Sequence, residues 1–281
     1  MRKTIFILTL LLGIFMNAQN QRFIYEYRFV KDSTKKNNAE SAIMYLDVAK
    51  KGSKFYNRNN FVADSITNER VKSGNFDLKD IKVKEPKYTI EKNYPDYKVL
   101  YFNIMDAVEY KVSDDRKINW QILPDKEKIG ELNAQKAVGE FAGRKWIAWF
   151  VSEIPIQDGP YKFHGLPGLI IKIEDTTSSH IFILKAIKKL KENEVWKSEN
   201  NKERFEDMIA LDPENYKKHF IENRKNPTRR LGQWIASNQE TMLLDRDGKE
   251  VNPNEMIRRK EKEAREENAR NNNILELDLL Q

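Results

Sequence analysis

The chain contains no cysteine. Disulfides, thiol nucleophiles, zinc–thiolate sites and a lipid anchor on a cysteine at a cleavage site are therefore excluded. Histidine is scarce: His164, His180 and His219 are scattered, and none falls at a metal-ligand spacing. There is no phosphate-cradling glycine loop, no dinucleotide fingerprint and no nucleophile elbow. Carboxylates are plentiful, but a working pair is defined by its separation in space, which a sequence does not give. The sequence thus points to no catalytic residue, no metal and no cofactor. Charge of one sign is lacking too. The net charge is +7 on 50 basic and 43 acidic residues, with the signs mixed. Nucleic-acid binding would need a clustered basic face, and none is present.

Only one apolar run stands out, and it opens the chain. Met1, Arg2 and Lys3 are followed by Ile5 to Met16, then by Asn17, Ala18 and Gln19. Charge, apolar stretch and a small residue are the order of a secretory signal. The run is about 12 residues, short of the roughly 20 that a spanning helix needs. Cleavage is expected after Ala18. The mature chain is then periplasmic or secreted, not a lipoprotein, and has no transmembrane segment. Without disulfides it must hold itself together by burial, and it is long enough to do so.

Strand patterns dominate the first two-thirds. Phe23, Tyr25, Tyr27 and Phe29 alternate, which places four aromatics on one face of a strand. Ala42 to Val48, a turn at Lys51-Gly52, and Ser53 to Tyr56 continue an antiparallel meander. Phe61 to Gly74 leans to a helix. Strand-like pieces resume at Tyr88–Ile90, Lys98–Phe102, Val108–Val112, Asn119–Leu123 and Glu131–Phe141. Lys145–Val151, apolar on both faces, reads as a buried central strand; Leu169–Glu174 and His180–Ile187 follow. Helical spacing then takes over at Phe205, Met208 and Ile209, and Asp212-Pro213-Glu214 is a strong helix start. The tail carries Glu255/Arg259, Glu261/Arg265 and Glu266/Arg270 at helical pair spacing. Its end, Ile274 to Leu280, alternates and would add a strand or dock on a partner.

The expected fold is a β-rich α+β one: a large curved antiparallel sheet, half-open and barrel-like in the manner of periplasmic lipoprotein carriers, with C-terminal helices. The chain divides into a signal peptide (1–18), the curved β domain (19–190), a helical segment packed on the sheet (191–230), and a charged tail helix with an apolar end (231–281).

One loop is chemically dense. Between the strands ending at Val151 and starting at Leu169 lie Pro155, Gly159, Pro160, Tyr161, Phe163, His164, Gly165, Leu166, Pro167 and Gly168. Proline fixes φ, and glycine allows close approach, so such a loop is cheap to hold rigid. Two roles fit it. Its apolar residues pack as core, the favoured role, or they frame a pocket or docking surface with Trp149, Tyr161, Phe163 and His164. Gly165 to Ile170 reads GLPGLI. With Gly143-Arg144, Ala148-Trp149-Phe150, Ile154-Pro155 and Asp158 to Phe163, it resembles the GLPGLI family of secreted Bacteroidetes proteins. The likeness is specific from about residue 130 to 175 and looser elsewhere. It implies an envelope protein without an established reaction, and an outer-membrane TonB-dependent transporter as a partner. Three functions follow in order. A binding or accessory module would hold an apolar ligand or peptide on the concave face, or dock through the loop. An interaction protein would act through the tail. An envelope hydrolase would bring two or more acids together in a cleft.

Overall fold

The computed structural model describes residues 20–204, 206–238 and 250–281. The signal-peptide expectation lies outside them. The strands are β1 (Gln21–Phe29), β2 (Glu40–Ala49), β3 (Gly52–Asn57), β4 (Thr89–Asn93), β5 (Lys98–Met105), β6 (Val108–Asp114), β7 (Gln121–Ile129), β8 (Leu132–Phe141), β9 (Arg144–Val151), β10 (Leu169–Asp175), β11 (His180–Lys189) and β12 (Ile209–Leu211). The helices are α1 (Arg58–Lys72), α2 (Pro213–Lys225), α3 (Arg229–Ser237) and α4 (Pro253–Arg270).

The twelve strands among the described residues form one open sheet, ordered β12-β6-β5-β4-β3-β2-β1-β11-β10-β9-β8-β7. It is two meanders, β1 to β6 and β7 to β11, joined where β1 pairs with β11. Every pairing is antiparallel except β12 on β6. Cross-strand register carries one apolar row from strand to strand: Phe23, Leu46, Phe55, Ile90, Tyr101 and Val112 face one another in turn, all buried. On the other side Tyr27, Phe182, Ile173, Ala148 and Ala137 do the same. Because side chains alternate between faces, these rows define one inner surface.

That surface is concave. The adjacent residues Lys162 and Phe163 reach both halves of the sheet: Lys162 Nζ lies 2.7 Å from Asp114 on β6, and the Phe163 ring is 4.6 Å from that of Trp146 on β9. In a flat sheet β6 and β9 would lie about 38 Å apart, eight strand spacings. Neighbouring Cα atoms are only about 3.8 Å apart, so the sheet must curl around them. The large, curved, β-rich α+β architecture is therefore present as expected.

Local departures have physical reasons. The strand read at Asn119–Leu123 lies further along, at Gln121–Ile129, where exposed charges hide its pattern. Ile209, read at helical spacing with Phe205 and Met208, instead opens the edge strand Ile209–Leu211, parallel to β6; helical spacing over so few residues does not separate the two states. The chain end adds no strand. Residues 273–276 bond to Val30 and Lys31 after β1, to Arg144 at the start of β9 and to Arg116 after β6, and Leu277–Leu280 close in a 3-10 turn. The start of α2 is as read: Asp212 caps Asn215 N at 2.7 Å, and Pro213 opens the helix. Of the three tail pairs, Glu261–Arg265 closes at 2.6 Å, whereas Arg259 turns to Glu263 and Arg270 reaches the Glu266 carbonyl. Among the described residues no helix is long and apolar enough to cross a membrane.

Candidate functional site

The loop from Ser152 to Gly168 folds back under the sheet and fills its concavity. Asp158 and His164 pair across it, Gly165 N donates to Gln157 O at 3.0 Å, and Ile170 N donates to Asp158 O at 3.0 Å. Two glycines permit close contact. A Cβ on Gly168 would sit 2.1 Å from the Val151 carbonyl oxygen, and one on Gly159 would sit 2.8 Å from Ile170 Cβ. Tyr161, Phe163 and Leu166 point into the core. Phe163 packs among Trp146, Phe141 and Trp120, and Trp120 Nε1 donates to the His164 carbonyl at 2.8 Å. An apolar ligand on the concave face would need the space these side chains occupy.

Of the loop's three charges Glu153 is exposed, and the two buried ones, Asp158 and Lys162, each meet an opposite charge on the inner face. Asp158 and Lys92 of β4 are fully buried, 2.5 Å apart. Lys92 Nζ also donates to the carbonyls of Gly159 and Tyr161, at 2.7 and 2.9 Å. Asp158 further accepts from Ser53 Oγ, the Tyr94 hydroxyl and Gly159 N. With so many partners satisfied, this is an anchor, closed to any ligand.

The second charge, Lys162, opens onto a cleft of ≈ 420 Å³ between the β6 end, α2 and the chain terminus. Lys162 Nζ donates to Asp114 Oδ2 at 2.7 Å and to Glu276 Oε1 at 2.5 Å. Arg116 bridges the same two carboxylates, at 2.6 and 2.8 Å, and reaches Asp278 Oδ2 at 3.0 Å. The Tyr161 hydroxyl donates to Glu276. Burial by itself would raise Asp114, but the Arg116 hydrogen bond and the Lys162 charge hold its carboxyl well below the usual carboxylate range. Glu276 behaves alike: burial opposes ionisation, and Lys162 and Arg116 prevail. Asp278 goes the other way. Burial and the neighbouring Glu276 charge raise it, and its buried Oδ1 has no hydrogen-bond partner. Tyr101 and Tyr216 form an aromatic side of the cleft. Tyr216 is held there by Asn103 Nδ2 at 2.8 Å and packs edge-on to Tyr101.

The terminus that supplies Glu276 and Asp278 is itself fastened. Arg144 donates to Asp175, to Asn273 Oδ1 and to the carbonyls of Ile274 and Leu275, at 2.6–3.0 Å. His180 bridges the Tyr27 hydroxyl at 2.7 Å and the Asn273 carbonyl at 2.9 Å. Both ring nitrogens are thus engaged within the fold. Burial and the Arg144 charge lower the His180 pKa to about 4.

The sequence-derived loop residues do not form one site. Tyr161, Phe163, Leu166 and Pro160 are core, whereas Pro155, Gly165 and Pro167 are exposed. His164 sits at the loop's edge, stacked on Tyr97 with centroids 5.1 Å apart. Burial and the Lys92 charge lower its pKa. Alternation along β9 sends Trp149 to the face opposite Trp146, where Lys136 lies over its ring. The cleft residues Asp114, Arg116, Glu276 and Asp278 were missed, because they are far apart in the chain. The one available signal was in the loop: Asp158 and Lys162 flank a Gly-Pro-Tyr turn that otherwise packs as core.

A family model described as a protein of unknown function (Porph_ging) matches residues 93–172. That stretch holds Asp114, Arg116, Asp158 and Lys162, while Lys92 and the terminal acids lie outside it. No curated protein matches the chain. Among solved structures it is similar to PNGF-II in a P21 crystal form, at 18% identity and a TM-score of 0.50, over 74% of this chain and 34% of that one. The C2 crystal form of PNGF-II gives 18% identity and a TM-score of 0.49 over the same shares. The chain thus spans about a third of the length of that protein, and the likeness is one of fold.

Proposed function

We propose that the chain is an extracytoplasmic binding or accessory protein of the bacterial envelope, with its recognition site in the cleft over Lys162. The carrying observation is the convergence there of five charged side chains from three distant stretches, beside Tyr101 and Tyr216. Burying such a network is seldom the cheapest way to stabilise a core, and convergent polar groups in a cleft of this size suit a small ligand. Aromatic faces and a carboxyl with spare accepting capacity favour a ligand rich in hydroxyl or amine donors. The compartment rests on the N-terminal pattern. A TonB-dependent transporter as partner rests on the sequence resemblance.

Native mass spectrometry of protein purified gently from its host envelope tests the cleft. The wild type should carry an additional small mass that is absent from Tyr216→Ala and Asp278→Ala. If the mass stays in both variants, or if the wild type is bare and no polyol or amine in a panel raises its melting temperature, the cleft is not a binding site.

A second reading has its own observation: three carboxyl groups converge, two held low and one raised, as an acid-using hydrolase requires. Asp114 and Glu276, however, have both oxygens engaged by cations or a tyrosine. Of the three only Asp278 has an oxygen without a hydrogen-bond partner, and glycoside hydrolysis by the usual route needs two working carboxyls. Turnover of a glycoside or ester panel that disappears in Asp278→Asn would favour this reading over binding.

A further inference from the structure

Helix α1 and the segment after it, residues 73–87, turn the normal rule of folding inside out. Their polar side chains fasten the segment to the helix. Asn60 accepts from Lys84 N at 2.9 Å and donates to the Lys84 and Pro86 carbonyls, each at 3.0 Å. Asn57 adds a bond to the Pro86 carbonyl at 3.1 Å. At the far end Arg70 holds the Asp77 carbonyl at 2.7 Å and grips Asp80 with both terminal nitrogens. The segment therefore runs back along α1, pinned at both ends. Apolar side chains face water instead: on the segment Phe76 is 74% exposed, Val83 54% and Leu78 37%, and at the end of α1 Val71 is 45% exposed. Helix α1 buries only Ala63.

Apolar groups held out on a pinned platform mark a contact surface, and the charges beside them identify its partner. Over residues 72–87 five exposed lysines, Lys72, Lys79, Lys82, Lys84 and Lys87, outnumber three exposed acids: Asp77, Asp80, which Arg70 holds, and Glu85, which pairs with Lys87. Among the described residues, ion pairs engage Lys87 alone of the five. Apolar tips interleaved with exposed lysines suit the interface of an anionic bilayer, where the tips enter the acyl boundary and the ammonium groups meet lipid phosphates. We propose that the α1 platform seats this protein peripherally on an anionic lipid surface, on a different part of the fold from the Lys162 cleft.

Vesicle co-sedimentation of the purified protein tests this, with phosphatidylcholine vesicles that contain or lack about one-third phosphatidylglycerol. The protein should pellet with the anionic vesicles, be released by salt, and stay in solution with the neutral ones. Phe76→Ser with Val83→Ser, and separately Lys79→Glu with Lys82→Glu, should each weaken binding about tenfold or more. These side chains are exposed, so circular dichroism and the melting temperature should be unchanged in both variants. Equal binding to both vesicle types, no binding, or binding indifferent to both variants overturns the proposal. So does a photo-crosslinker at position 76 that captures protein and no lipid in the host envelope.

Discussion

At the residue scale, the inner face is unusual for the charges it buries. Lys92 and Asp158 have no exposed side-chain surface. Removing one partner leaves the other charged in a low-dielectric site, which typically costs about 3–5 kcal/mol. Lys92→Met should lower stability by that amount in urea unfolding, and adding Asp158→Asn should recover part of it. An unchanged midpoint in Lys92→Met would mean the pair carries no anchoring role. His180 gives a pH signature. Its folded pKa, about 4, lies below the unfolded value of about 6.5. The unfolded chain therefore binds the proton first, and stability falls as pH drops from about 6.5 towards 4. That part of the acid loss, about 3 kcal/mol, should be absent from a His180→Gln variant. None of these pairs was legible beforehand. Lys92 looks like any lysine in a strand; only the register from Ser53 to Lys92 and from Lys92 to Val99 turns it inward.

At the scale of elements, the legible features were those written in consecutive residues: the β1 aromatic stripe, the doubly apolar β9, the capped start of α2. The loop is the instructive case. Its glycines and prolines showed that it must be rigid, and they could not show that it plugs the sheet. Two glycines separate these meanings. Gly165 has φ +92° with open space around a Cβ, whereas a Cβ on Gly168 collides with the Val151 backbone. Gly165→Ala should cost about 1–2 kcal/mol through backbone strain alone. Gly168→Ala should cost clearly more, because the β9–β10 junction itself must move; equal melting temperatures for the two would refute the close approach. The terminal segment shows the opposite limit. Its alternation was visible, but its docking depends on Arg144, 129 residues from Asn273. Glu276→Gln should weaken this strap. In the wild type the contribution of Asp114 and Glu276, both depressed in the fold, is present above about pH 4 and is lost below it.

At the scale of the whole molecule, curvature and plug depend on each other. A twelve-stranded sheet of this size either curls, splits or flattens, and a curled one exposes an apolar hollow unless something fills it. Here the filler comes from the chain between β9 and β10, and it ties β4 and β6 to β9 through Asp158, Lys162 and Phe163. The loop should therefore behave as part of the core rather than as a surface connection. Native-state hydrogen exchange separates the two. Amides that exchange through global opening should include Phe163, Gly165 and Ile170, whose donors bond within the loop, together with the central β1, β2 and β11 ladder. If the plug opened independently of the sheet, as surface loops do, those three amides would exchange orders of magnitude faster than their neighbours in β1. The cleft over Lys162 would then be a transient opening of the core, and its charged wall would have no fixed geometry with which to hold a ligand.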